Sequence, residues 1–495
     1  MRNLLFTIFL IPFFSFSQYG ILDETFGDGG IVYNTDIPED LLNPRFITMA
    51  IDPNDNIYIV GNYNTEFNPN HGIWDSAVFI VKYLSDGTID ISFGENGFKR
   101  LFIEDYSISA NDFTLTDDGF FLIPISSMHK EAMDDFRTYV VKIDLSGTYD
   151  SEFGNQGIYT WGCGECYAQK IIELEDGNYL LAEKIGGMIE PEGIIFTKLN
   201  ESGQLVASYA NNGRKHIWHP NPNNYIRYVD FTRDDEDNLY GLSLIQDGTY
   251  NLFKLNAIGS EDLTLAMDEP LERIRSIEYN QSKLYTSGDY NGTNFFLKRY
   301  NTENLSIDTN FGDGGMNISE FNYNTEIPTN LLISNRVYQI GYVGSNNNYL
   351  FGLAAYTLTG VDDSSFGING KVVTDVTESS YDVAVDAKFM GTEKILVLNY
   401  NNLSMACYRI RDIMSAENLS MESNVLIVPN PTPNSFFISG LKGNDNTIQI
   451  FDLSGKSIRE FKAVRDNQKI ELGAIPKGIY LIKINDSETK KLIVQ

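Results

Sequence analysis

Seven times along this chain a short motif recurs: an aspartate, an aromatic or apolar anchor three residues on, then a glycine and a second glycine. Five copies are complete. They are Asp23 to Gly30 around Phe26, Asp90 to Gly97 around Phe93, Asp150 to Gly157 around Phe153, Asp308 to Gly315 around Phe311, and Asp363 to Gly370 around Phe366. Two are worn, one at Tyr209 with Gly213 and no aspartate, the other Asp262 to Leu265 with no glycine. Repeats of this length restrict the chain to propellers, solenoids or arrays, because a single unit cannot bury its own apolar face.

Successive anchors are 67, 60, 56, 56, 46 and 55 residues apart, room for one four-stranded unit each. Every interval repeats one order of elements: a short apolar strand, a hairpin, and a last strand leading into the next anchor. The hairpins turn at Asx and glycine positions such as Asn54–Asn56, Asp117–Gly119 and Glu175–Gly177, between β-branched and aromatic runs. The seventh last strand, Met405 to Arg409, has no anchor after it, and the first anchor, Phe26, has no such strand before it. The two deficits match. The expected fold class is therefore all-β, a seven-bladed β-propeller closed by the N-terminal segment, since closure protects edges that an open array exposes. A solenoid of β units is the alternative.

The anchors read as structural. Phe26, Phe93, Phe153, Tyr209, Leu265, Phe311 and Phe366 offer apolar area to bury between units. The glycines permit positive φ, and the aspartate caps the turn. With the Gly-Thr turns that precede them (Gly87-Thr88, Gly147-Thr148), the Asp-x-x-Phe-Gly-x-x-Gly copies resemble the delta-60 repeats of bacterial surface and secreted proteins, across residues 19–412. That resemblance implies a propeller-like body and no settled activity.

Residues 1–17 read as a signal peptide: Arg2, an apolar stretch from Leu4 to Phe16, and a small-x-small site that predicts cleavage between Ser17 and Gln18. No stretch is long enough for a membrane-spanning helix. Residues 18–412 are the expected propeller, 413–424 a polar linker, and 425–495 a separate module. In that module short strands separated by turns predict a small C-terminal β-sandwich. Its Pro429-Asn430-Pro431, the turn ending at Gly455, Gly478 and Tyr480, and the basic Lys490-Lys491 before the last strand resemble the C-terminal sorting domain of type IX secretion substrates. The resemblance implies the type IX machinery as a partner and export through the periplasm, with the body released or attached at the outer-membrane surface.

Charge narrows the remaining classes. The chain carries −30, the C-terminal module about +3 and the signal peptide +1, which leaves about −34 on the body. Such a body repels nucleic acid and anionic lipid. Three cysteines are too few for a disulfide scaffold. Cys163 and Cys166 fit a local disulfide better than a redox pair, since no βαβ context surrounds them. Cys163 and His219 each lie six residues after an equivalent glycine, so Cys163, Cys166, His216 and His219 make a speculative zinc set between neighbouring units. Asp52 to Asn56 partly imitates a calcium loop but lacks its glycine and terminal glutamate. No catalytic constellation is identifiable and no cofactor is expected.

The expected function is a secreted or surface-attached, non-catalytic propeller that binds an extracellular glycan or protein. Asn62–Asp75 and Trp218–Arg227 are its expected ligand-facing loops. A structural surface component and an extracellular polysaccharide hydrolase or lyase are the alternatives. Convergent carboxylates in a central channel would favour the enzyme.

Overall fold

The computed structural model describes residues 19–33, 37–69, 72–132, 135–186, 193–218, 226–267, 271–377, 381–400, 404–410, 426–428, 432, 435–439, 441, 446–452, 456–473, 475–485 and 488–494. Signal-cleavage residues Ser17 and Gln18, with His219, Pro429, Asn430, Pro431 and Gly455, lie outside them. Two compact units emerge, Met1–Arg411 and Asp412–Gln495.

Among the described residues of the first unit there are seven antiparallel sheets and no helix. Six of them are meanders in chain order. The third, for example, runs Cys166–Glu173, Tyr179–Ile185, Gly193–Leu199 and Arg214–Ile217, and the fifth runs Glu272–Asn280, Lys283–Tyr290, Asn294–Asn301 and Met316–Ser319. The seventh breaks chain order. Its strands Ala384–Met390, Lys394–Asn399 and Ser404–Arg409 are completed by Ile21–Leu22 and Ile31–Tyr33, with Ile21 opposite Arg409 and Val32 opposite Met405. Ala384–Met390 in turn packs on Leu42–Ile51, the first strand of the first sheet. Residues of both sheets share one apolar core, among them Phe46, Ile59, Leu396 and Met405.

The recurring motif fastens neighbouring sheets. Phe26, Phe93, Phe153, Tyr209, Phe311 and Phe366 are buried, none more than 4% exposed. The amide after the aromatic crosses to the following sheet. Gly27 donates to Asp86 O at 2.8 Å, Gly154 to Ser202 O at 2.9 Å, Ala210 to Ile258 O at 2.7 Å and Gly312 to Thr359 O at 2.8 Å. Gly367 donates to Tyr19 O at 2.7 Å, so the N-terminal segment takes the same role. The place favours glycine: Gly27 has φ +56° and a Cβ would sit 2.2 Å from Ile31 O, although Ala210 occupies the equivalent position at φ +43°.

Each aspartate caps its turn, as Asp23 does toward Thr25 and Asp363 toward Ser365. It also pairs with a cation of a neighbouring strand: Asp90 with Lys82 at 2.7 Å, Asp150 with Lys142 at 3.2 Å, and Asp23 with Arg409 at 2.8 Å and Lys394 at 2.7 Å.

Two expectations change. Leu265 is no anchor: it lies within the strand Glu261–Met267 opposite Leu252, because no glycine follows it to start a tight turn. Asn62–Asp75 is no loop either. It extends the hairpin of Ile57–Asn68 and Ile73–Tyr83, whose tip pairs Phe67 with Trp74 across the strands.

The second unit consists, among described residues, of two antiparallel sheets. Leu426–Val428, Ser435–Ser439 and Lys469–Glu471 form one; Ser457–Val464, Asn446–Phe451, Gly478–Ile484 and Glu488–Val494 form the other. Phe436 and Ile438 of the first share a core with Ile448, Ile482 and Leu492 of the second, which is sandwich packing. Gly478 opens a strand, Tyr480 is buried with its hydroxyl donating to Pro476 O at 2.7 Å, and Lys490 and Lys491 lie on the final strand.

Candidate functional site

The first strands of the sheets share an irregularity. The register shifts between Phe46 and Thr48, Ala168 and Lys170, Tyr228 and Asp230, Ile274 and Ser276, Pro328 and Asn330, and Ala384 and Asp386. In the second sheet the first strand is interrupted instead, between Tyr106–Ala110 and Thr114–Leu115. A bulge re-aims the residue beside it. The side chains placed there are Thr48, Asp112, Lys170, Asp230, Ser276, Asn330 and Asp386, and most of them reach the following sheet.

Three of these carboxylates accept backbone amides. Asp112 Oδ2 takes Ile171 N–H at 2.9 Å, Asp230 Oδ2 takes Ile277 N–H at 3.1 Å, and Asp386 Oδ2 takes Met49 N–H at 2.9 Å. Each amide belongs to the residue after the equivalent position in the next sheet. Lys170 Nζ donates to Asp230 Oδ1 and to Phe231 O, both at 2.8 Å, and Asn330 Nδ2 donates to Asp386 Oδ1 at 2.9 Å. These groups therefore stitch sheets together through charge-assisted bonds. Two residues further along their strands stand Glu278 and Lys388, whose charges face the same space.

That space is a cavity of about 750 Å³, lined by residues of the second, third, fourth, fifth and seventh sheets. Asp112, Lys170, Glu278 and Lys388 form its inner wall. Asp117, Asp118, Glu173, Glu175, Glu201 and Arg233 stand toward the hairpin turns. Apolar surface is supplied by Phe113, Tyr179 and Phe231.

The charges act on one another. Burial pushes the Glu278 carboxyl up to about 7, against the opposing pull of Lys170 and Lys388. Burial raises Asp112 as well, with Lys170 the main counterweight. Burial by itself would discharge Lys170, but Asp230, Glu278 and Asp112 outweigh it and hold the ammonium well above its ordinary range. Lys388 is raised by the charge of Asp386, with burial opposing. All four lie deep between the sheets yet keep partial exposure, because they open on the cavity. The wall thus offers ammonium donors and carboxylate acceptors within one enclosure.

The speculative zinc set does not assemble from what is described. Cys166 is disulfide-bonded, which removes its thiolate, and His216 sits on Arg214–Ile217 with its ring stacked on Trp218 at 6.1 Å. Cys163 lies on the strand Ile158–Gly164. Cys407 is a free, buried thiol. Among the described residues no group of three or more His, Cys, Asp and Glu is arranged to hold a metal ion. Asp52 is a turn cap, accepting Asn54 N–H at 2.8 Å and Asn56 N–H at 2.9 Å. Sequence reasoning missed the cavity charges. A polar residue recurs near the middle of the first strands, but these strands carry other polar residues as well, so the pattern does not single the cavity charges out.

Residues 426–495 match the family of secretion system C-terminal sorting domains. The C-terminal unit is thus a type IX sorting domain, and the chain is a substrate for export to the cell surface or the medium. Two curated relatives share short segments with it. Beta-agarase A of Zobellia galactanivorans is 32% identical over 89 residues, covering 17% of this chain and 16% of the relative. An endo-acting ulvan lyase of Formosa agariphila is 36% identical over 86 residues, covering 16% of each. The chain therefore spans about one sixth of either relative. Among solved structures, the WD40 domain of Toxoplasma gondii coronin is similar over 80% of this chain and 90% of its own, with 9% identity and a TM-score of 0.43. Polysaccharide lyase Uly1 is similar over 79% and 96%, with 8% identity and a TM-score of 0.38.

Proposed function

We propose that the exported body is a seven-bladed propeller, closed by its N-terminal segment and built from delta-60-like repeats, that binds a neutral polyhydroxylated ligand in its central cavity. The cavity wall carries this reading: ammonium and carboxylate groups converge at Asp112, Lys170, Glu278 and Lys388. Sugar hydroxyls both donate and accept, so they satisfy such a mixed wall, and Phe113, Tyr179 and Phe231 supply apolar area for ring faces. The seven acidic and three basic side chains of the lining disfavour an anionic polymer.

Binding is favoured over catalysis because Asp112, Asp230 and Asp386 are already engaged with main-chain amides of neighbouring sheets. The enzymatic alternative also has an observation on its side: carboxylates converge here, and Glu278 has the raised affinity for protons that suits a general acid.

Calorimetric titration of the purified protein with neutral oligosaccharides tests the first reading. Binding is expected, and Glu278→Gln should weaken it about tenfold, or about 1.4 kcal/mol. Assays for new reducing ends and for unsaturated sugar products on the same samples test the second. Turnover abolished by Glu278→Gln would move the assignment to an enzyme, whereas no binding and no turnover would reject the cavity as a site.

A further inference from the structure

We propose a second site, at the other end of the strand that carries Glu278, which takes the carboxylate of a uronic-acid sugar on Arg273 and Arg275. Arg275 is the residue extruded by the bulge between Ile274 and Ser276. Its Nε and one terminal nitrogen both lie 2.7 Å from Asp289 Oδ1, and Asp289 is fully buried. A buried carboxylate that grips a guanidinium along one edge fixes its direction and leaves the other edge for a ligand. Gly288 makes room: a Cβ there would stand 2.1 Å from Arg273 O.

Arg273 lies opposite Asp289 in the ladder, with Nε 4.0 Å from Asp289 Oδ2, and its side chain is 70% exposed. It makes no hydrogen bond among the described residues. Two guanidinium groups thus share one carboxylate, a local positive excess on a body of strongly negative charge. The acid next in sequence does not cancel it, since Glu272 is paired with Lys298 at 2.7 Å.

Tyrosines from the sheets on either side complete the surroundings. The charge of Arg275 reaches Tyr250 of the fourth sheet and Tyr342 of the sixth, drawing down phenols that burial pushes up. Tyr342 meets Tyr349 edge to face at 5.3 Å. An anion fork bordered by flat rings matches a sugar that carries a carboxylate: the fork holds the acid in two parallel bonds, and the rings pack on the C–H face. This site is independent of the neutral-sugar reading of the cavity.

The test is calorimetric titration of the purified protein with a short oligogalacturonate, its methyl ester, a sulfated oligosaccharide and an acidic peptide. The oligogalacturonate should bind, and its ester at least tenfold more weakly. Arg273→Gln, an exposed substitution that leaves the core untouched, should weaken the oligogalacturonate about tenfold with an unchanged melting temperature, and Arg275→Lys should weaken it about tenfold as well. Glu278→Gln should leave it unaffected. Equal binding of acid and ester, retention of affinity in both arginine variants, or preference for the sulfated sugar or the peptide would overturn the proposal, as would failure of the unaltered protein to bind the oligogalacturonate.

Discussion

At the residue scale, aromatic anchors and buried carboxylates have opposite energetics. Phe153 is fully buried between the second and third sheets, with its ring 6.2 Å from Tyr179. Phe153→Ala should cost about 3–5 kcal/mol, read as a lowered midpoint in urea unfolding, because the rigid turn around it cannot collapse into the void. Glu183 is a buried acid in the third sheet that accepts Thr197 Oγ1 at 2.8 Å on one oxygen. Burial pushes it up to about 7, and hydrogen bonding with the charge of Arg214 only partly opposes this. Between the ordinary carboxylate range and pH 7 the folded protein therefore holds a proton that the unfolded chain has released. Stability falls as pH rises through that window, by up to roughly 3 kcal/mol. Denaturation of Glu183→Gln at pH 5 and pH 8 should show a smaller fall than in the unaltered protein, the remainder coming from groups such as Glu278 that titrate in the same window.

Within a single sheet, the N-terminal strands and the ion pairs that seat them form one device. Burial would raise Asp23, but Lys394 and Arg409 outweigh it and hold the carboxyl well below its usual range. A depressed carboxyl contributes stability that is fully present above the unfolded value and is lost progressively as pH falls from there through the much lower folded value. Asp23→Asn should cost roughly 1–2 kcal/mol at neutral pH, discounted because both cationic partners are partly exposed. Denaturation at pH 7 should show the loss in full, and at pH 3 most of it should remain, because the two cations hold the folded carboxyl well below that pH. Removing residues 19–33 takes away both strands that pair with Ser404–Arg409 and bares its edge. Such a truncation should form concentration-dependent oligomers in size-exclusion chromatography, where the full chain does not.

For the whole molecule, the division into two units with separate cores predicts two calorimetric transitions. A Phe436→Ala substitution in the second unit should lower one transition and leave the other in place. A single transition shifted as a whole would show that the units unfold together.

The sequence by itself determined the repeat, its four-stranded period, the pairing of the chain's start with Ser404–Arg409 and the sorting tail. These follow from patterns within some sixty residues: alternation, turn residues, and a motif whose spacing survives even where Tyr209 replaces phenylalanine. It failed at Leu265, where an apolar residue at the right spacing lacked the glycines that make the turn. It also failed at Asn62–Asp75, where polar composition concealed a continuing hairpin. Only the tertiary structure decided the cavity. Asp112, Lys170, Glu278 and Lys388 stand on four different sheets, and nothing in their local sequence separates them from the many other charged residues. What gathers them is the convergence of first strands, each irregular at the same place, and the re-aiming of a side chain by a bulge depends on packing against the neighbouring sheet rather than on local preference.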